Sequence, residues 1–220
     1  MDELRIMIQT ILFDSDGVLV DTERLFFEAT QEVFAGFGAV IPPDQWAVWY
    51  LAESRRSREV AGLLGIPDSQ VEAVIKHRDQ LFWAKVEAGV SLLPGVRETL
   101  NHLSGNFRLA VVTGASRSHF EGVHAATELM DFFEVIITAD DYDEPKPSPQ
   151  CYQKAMHVLS VNPKECLAVE DSPRGAAAAI SAGVRCAVIP TPLTNISLCP
   201  GECDILSSMT ELPLFTSNYR

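Results

Sequence analysis

The segment Ile11-Leu12-Phe13-Asp14-Ser15-Asp16-Gly17 places two carboxylates one residue apart at the end of an apolar run. Like charges that close repel unless a divalent cation or a shared proton relieves them. Hard cations such as Mg2+ take oxygen ligands, so a carboxylate pair suits one. Gly17 permits the tight turn that brings backbone amides close to a bound group. A second acidic pair, Glu170-Asp171, follows the apolar run 166–169. Thr113-Gly114 follows the run 109–112 and offers an anion a hydroxyl and an unhindered amide. Ala115 and Ser116 continue that anion-binding stretch, and Ser116 with Arg117 stands where a cavity entrance would be lined. Lys146 lies among Pro145, Pro147 and Pro149, which stiffen its loop and fix the ammonium in place.

Such groups need a frame that brings separate chain segments together. Continuous apolar runs recur at 10–13, 109–112, 135–137, 166–169 and 186–189 and read as strands buried on both faces. Helical patterns occupy 94–103, 118–130, 148–159 and 173–182, the last opened by the Ser172-Pro173 start signal. The alternation predicts an α/β chain with a parallel sheet and helices on both faces. In such a sheet, ligand chemistry gathers outside the carboxyl ends of the strands, where these polar groups fall. From residue 22 to about 93 only helical signals occur. Leu25, Phe26, Ala29, Val33, Phe34 and Phe37 make one stripe, and Val71, Val74, Ile75, Leu81 and Phe82 a looser one. Gly36, Gly38 and Pro42-Pro43 end the first helix, and Gly65 with Pro67 separates a middle helix from a third. This segment is therefore an all-helical insert after the first strand, with Pro94 and Gly95 at a hinge position on its exit.

The 220 residues allow one large domain, or a core of about 150 residues with a smaller companion. With 47% hydrophobic and 21% charged residues the composition is that of an ordinary soluble protein, with disorder expected only at 216–220. Thirty acidic against seventeen basic residues give a net charge of −13, which repels polyanions and argues against a nucleic-acid partner. No apolar run reaches membrane-spanning length, and residues 1–10 carry Asp2 and Glu3 without the basic start of a signal peptide. A cytoplasmic location is the resulting expectation. The five cysteines are an odd number, which suits a reducing compartment. Cys199 and Cys203 have neither a second pair nor a nearby histidine to complete a metal site and read as loop cysteines.

Taken in order, Asp14-Ser15-Asp16-Gly17-Val18 with Asp21-Thr22, Thr113-Gly114, Lys146-Pro147 with Pro149 and Tyr152, and Glu170-Asp171-Ser172-Pro173 with Gly175 and Ala182-Gly183 resemble the four motifs of the haloacid dehalogenase superfamily. The helical insert resembles the cap of its β-phosphoglucomutase-like and phosphoglycolate-phosphatase-like branch. The resemblance implies a Rossmann-like parallel sheet flanked by helices, with a catalytic core of residues 1–21 and 94–220 and a specificity cap of residues 22–93. It implies a phosphatase acting on a small phosphorylated metabolite, a sugar phosphate or phosphoacid, in a monomer or small homo-oligomer. Asp14 would be the nucleophile, forming an aspartyl phosphate. Asp16 would be the general acid and base. Thr113, Gly114 and Lys146 would hold the phosphoryl oxygens. Mg2+ would be held by Asp14, the backbone carbonyl of Asp16, Asp171 and Glu170. One metal and one lysine would then offset the acidic field.

Some residues keep two readings. Arg55 and Arg56 suit bidentate contact with a distal acidic group of the substrate, or belong to a solvated helix face. Trp46, Trp49 and Tyr50 either stack on a sugar or pack inside the cap. Asp21 with Thr22 either completes the first motif or caps a helix. No histidine stands in a motif, and all five read as surface or core residues. Sugar phosphomutase relatives often carry a histidine in the first cap helix. Its lack in Arg24-Leu25-Phe26-Phe27 favours hydrolysis over the mutase alternative. Pro145 departs from the glycine that relatives commonly have before the Lys-Pro pair. A receiver-like signalling module would share the aspartate, hydroxyl and lysine, but Asp16 and the helical insert are foreign to it.

Overall fold

The computed structural model describes residues 7–219. Six strands, β1 (Thr10–Phe13), β2 (Arg108–Val112), β3 (Val135–Ile137), β4 (Cys166–Glu170), β5 (Arg185–Val188) and β6 (Asp204–Ile205), form one sheet in the order β3-β2-β1-β4-β5-β6. Every pairing is parallel. The direction of winding reverses between β1 and β4, the position in an open α/β sheet where a crevice opens at the carboxyl strand ends.

Side chains alternate across this sheet as the two-residue strand period requires. Ile11, Phe13, Leu109, Val111, Leu167, Val169 and Ala187 face one core. Leu12, Ala110, Val112, Cys166, Ala168, Cys186 and Val188 face the other. Helices α5 (Val96–Leu103), α6 (Arg117–His124) and α9 (Leu212–Ser217) contribute to the first core, and α7 (Gln150–Leu159) and α8 (Pro173–Ser181) to the second. Both faces being covered explains why the strands read as unbroken apolar runs. The architecture is thus the expected Rossmann-like α/β fold.

Between β1 and α5 lie only helices: α1 (Thr22–Ala35), α2 (Pro43–Trp46) continuing as a π-helical turn over Ala47–Ala52, α3 (Ser57–Leu63) and α4 (Asp68–Glu87). They bury Phe34, Ile41, Trp46, Leu51, Val60 and Val71 in a core of their own. The chain enters and leaves this bundle side by side, with the Asp21 amide bonded to the Ser91 carbonyl at 3.1 Å and the Leu93 amide to Leu19 at 3.1 Å.

Several expectations are corrected. The middle helix of the bundle is two helices, because Ser54 turns the chain at φ 57° and Glu59 accepts the Arg56 amide at the start of α3. Phe37 lies beyond α1 and is exposed. Asp21 makes no capping bond and instead pairs with Arg24 at 2.6 Å. The helix expected over 118–130 stops at His124, where both the amide and the hydroxyl of Thr127 bond the His124 carbonyl and Glu128 takes φ 53°. The short edge strand β6 has no apolar run to announce it. The tail is packed rather than disordered: Thr216 is buried, the Tyr219 carbonyl accepts the Ile8 amide at 3.1 Å, and the Arg185 guanidinium lies 4.3 Å from the Tyr219 ring centre. Residues 1–6 and Arg220 lie outside the described residues. Among the described residues no helix is long and apolar enough to cross a membrane.

The approach of α8 to β4 is close enough to demand glycine. A Cβ on Gly175 would sit 2.0 Å from Glu170 Oε2, deep inside contact distance. Gly175→Ala is expected to cost about 1–3 kcal/mol of stability through forced displacement of a buried carboxylate, measurable as a lowered urea midpoint.

Candidate active site

The β1–β4 ladder runs one residue beyond β1, the Asp14 amide bonding the Val169 carbonyl at 2.9 Å. This holds the Asp14 carboxylate at the strand end. The chain then folds back tightly, the Ser15 carbonyl accepting the amides of Val18, Leu19 and Val20. Gly17 adopts φ 78°, and a Cβ there would lie 2.2 Å from Asp171 Oδ2. The first loop and the end of β4 therefore touch only because residue 17 lacks a side chain.

Lys146 ties the strand ends together. Its ammonium donates to Asp14 Oδ1 at 2.9 Å, to Glu170 Oε1 at 2.6 Å and to the Val112 carbonyl at 2.9 Å, which uses all three protons. Glu170 also accepts the Tyr152 hydroxyl at 2.7 Å and the Ser172 hydroxyl at 3.3 Å. Ser172 in turn caps α8 by accepting the Gly175 amide at 3.2 Å. Burial opposes the charge on Lys146, but Asp14 and Glu170 outweigh it and hold the lysine well above its ordinary pKa. Burial pushes Asp14 up to about 7, with Lys146 working against that rise. Asp171 is raised well above the usual carboxylate range by burial and then by the charges of Asp14, Glu170 and Glu23.

One carboxylate oxygen from each of Asp14, Glu170 and Asp171 lies within 4.8 Å of the others. Asp171 is buried, and its carboxylate accepts no protein hydrogen bond among the described residues. Three acidic groups facing one ammonium leave negative charge that a hard cation relieves. The cluster can therefore hold a metal ion.

Above it opens a cavity of about 350 Å³. Asp14, Asp16, Lys146, Asp171 and Ser172 line its floor, and Gly114, Ala115 and Ser116 one wall. Asp16 is held by the Thr22 hydroxyl from the first turn of α1. Thr113 is fully buried beneath the wall, its hydroxyl accepting the Ala115 amide at 3.1 Å. Arg117 points away and pairs with Asp141 at 3.0 Å. Arg55 and Arg56 line a neighbouring cavity that shares Glu23, Phe26, Leu51 and Arg174 with the first. Arg55 is paired with Glu53 at 2.5 Å. Trp46 and Tyr50 are buried and stacked at 4.0 Å inside the bundle, with Trp49 packed against the same core.

Sequence reasoning missed other wall residues. Glu23 accepts the Trp46 indole N–H at 2.7 Å, and burial raises its pKa. Arg174 reaches both cavities from α8. His119, read as surface or core, lines the cavity with its ring 5.3 Å from Phe82. Glu23 and Arg174 adjoin quoted motif residues, which was their only signal; His119 had none. His124 does occupy the core, joining the first loop to α6 through Ser15 Oγ at 2.9 Å and Thr127 Oγ1 at 3.0 Å.

Comparison with known proteins gives the family of the chain. Residues 11–189 match the family model described as haloacid dehalogenase-like hydrolase. Protein YhcW of Bacillus subtilis (strain 168) is 33% identical, covering 94% of this chain and 95% of its own. Hexitol phosphatase B of Escherichia coli (strain K12) is 32% identical, covering 93% and 94%. The crystal structure of CbbY from Rhodobacter sphaeroides in complex with phosphate superposes with a TM-score of 0.75 at 31% identity, over 94% of this chain and 96% of that one. The chain belongs to the haloacid dehalogenase-like hydrolases.

The buried His124 carries a pH signature. Burial pushes its pKa down to about 4, whereas an unfolded histidine titrates near 6.5. Between those values the unfolded chain binds more protons, so this contribution to stability is complete above about pH 6.5 and declines toward pH 4. His124→Gln is expected to lower the difference in unfolding free energy between about pH 7 and about pH 4.5 by roughly 2–3 kcal/mol. Urea unfolding of both proteins at the two pH values measures it, and an undiminished difference counts against it.

Proposed function

We propose that this hydrolase is a Mg2+-dependent phosphatase of a small phosphorylated metabolite, a sugar phosphate or phosphoacid, working through a phosphoryl group carried on Asp14. The observation that carries the reading is the Lys146 ammonium bonded to both Asp14 and Glu170, beside the donor-free Asp171, on the floor of a cavity that Asp16 also lines. A carboxylate nucleophile, a separate acid within the same cavity and a cation-binding cluster are what phosphomonoester hydrolysis through a covalent intermediate requires.

In this reading Asp14 attacks phosphorus with the oxygen not engaged by Lys146, and the bond to the leaving oxygen breaks. Asp16, positioned by Thr22, delivers the proton that the leaving oxygen needs. Water then attacks the phosphoryl group, Asp16 takes back a proton, and inorganic phosphate and free Asp14 result. Gly114, Ala115 and Ser116 provide donors for the phosphoryl oxygens, and Thr113 shapes that wall from beneath. Asp14, Glu170, Asp171 and the Asp16 carbonyl would hold Mg2+, which when bound neutralises charge on the phosphoryl oxygens.

The chain divides, on this proposal, into a core of residues 1–21 and 94–220 and a cap of residues 22–93. Phe26, Leu51 and Phe82 supply the cap's apolar surface over the cavity. Arg55 and Arg56 would meet a distal acidic group in the adjoining cavity. A cytoplasmic location accords with the odd cysteine count.

Phosphate release from a panel of sugar phosphates and phosphoacids is expected to require Mg2+ and to fall at least about a thousandfold in Asp14→Asn. Release that persists in the variant, or with EDTA, would overturn the nucleophile or the metal respectively. Saturating Mg2+ is further expected to raise the Tm by several degrees, since it binds only the folded cluster. Asp171→Ala should abolish that rise.

A further inference from the structure

Beyond the acidic cluster, a pair of sulfur atoms lies on the other side of β4. In the register of β5 with β6, Ala187 opposes Asp204 and Val188 opposes Ile205. Cys186 and Cys203 are the residues that immediately precede this first pair, Cys186 within β5 and Cys203 in the bend that leads into β6. Paired strands lie about 4.8 Å apart, so the chain neighbours of the Ala187–Asp204 pair approach within the Cα range a disulfide spans. Both cysteines pack against the same apolar core. Cys186 is fully buried while Cys203 is partly exposed, and both are free thiols.

We propose that Cys186 and Cys203 form a reversible disulfide, a modification site that closes residues 187–202 into a ring. That ring has contacts worth tethering. Leu193 is buried in the core of the helical bundle, and the Thr194 hydroxyl donates to the Asp171 carbonyl at 2.8 Å. The cross-link therefore anchors, at its far end, the loop that joins the bundle to the metal-binding strand end.

The chemistry matches the exposure. The neighbouring Cys203 thiol, and then burial, raise the Cys186 pKa well above the ordinary thiol value, while the neighbouring Cys186 lowers that of Cys203. The accessible Cys203 thiolate attacks one oxygen of a hydroperoxide, the O–O bond breaks, and Cys203 becomes a sulfenic acid. Cys186 sulfur then attacks Cys203 sulfur and expels hydroxide, which leaves as water with the Cys186 proton. Two thiols and one hydrogen peroxide thus give one disulfide and two waters. A thiolate metal site is the weaker reading of these cysteines. Among the described residues, the only set of three or more metal-ligating side chains gathered within 4.8 Å is Asp14, Glu170 and Asp171, and no third ligand joins the two cysteines.

The test treats the reduced full-length chain with hydrogen peroxide, alkylates remaining thiols and maps peptides by mass. The expected product is a Cys186–Cys203 cross-link lighter by two hydrogens, reversed by dithiothreitol and retained in Cys199→Ser. Its formation should raise the Tm by roughly 5–10 °C, the scale for a ring of this size. Cys203→Ser, a change at a partly exposed position, should fold normally and show neither the cross-link nor the shift. A bridge from Cys203 to Cys199, stable over-oxidation of Cys203 with Cys186 still alkylatable, or no reaction would each overturn the proposal.

Discussion

One ammonium among three buried carboxylates is the constraint on which the rest of this structure depends. Lys146 is almost wholly removed from water and spends its three protons on Asp14, Glu170 and a strand-end carbonyl. Charges buried in this way are costly unless their geometry is satisfied on every side. The strands β1, β2 and β4 must end level with one another, and their loops must approach to within contact. Gly17 and Gly175 are the two places where that approach leaves no room for a Cβ, each against a different carboxylate of the cluster. Tyr152 and Ser172 complete the shell of Glu170, so the same bonds that restrain the acid also fix α7 and α8 to the sheet.

The arrangement also resolves a conflict set by the overall charge. A chain with net charge −13 repels an anionic substrate, and the single lysine of the site is already committed to two carboxylates. Attraction must therefore come from other groups. Arg174 lines both cavities, the 114–116 wall presents backbone and hydroxyl donors, and the acidic cluster can accept a cation. Arg174 is the one arginine on the wall of the cavity above Asp14, whereas Arg55 and Arg56 line only the neighbouring one.

The helical bundle and the sheet meet through polar and apolar contacts of different kinds. Thr22 reaches down from α1 to Asp16, and Glu23 stands between the cavity and Trp46. On the opposite side, the loop after β5 sends Leu193 into the bundle core while Thr194 holds the Asp171 carbonyl. The helical bundle is thereby tied both to Asp16, through Thr22, and to the end of β4, through the loop that carries Leu193 and Thr194.

Local patterns in the chain were enough to determine the parallel sheet, its helical insertion and the four polar strand ends. Strands buried on both faces must be continuously apolar, Asp14 and Glu170-Asp171 each follow such a run, and Lys146 stands in a proline-stiffened loop. The break of the second helix at Ser54, the early stop of α6 at His124 and the packed C-terminal tail were not legible. Each depends on a partner distant in the chain or on a single left-handed residue that carries no periodic signal. The same holds for His119, Arg174 and the Cys186–Cys203 apposition. Sequence records which groups a strand end or loop carries. Only the tertiary structure decides which of them face one another, because facing depends on register and on the direction in which each helix leaves the sheet.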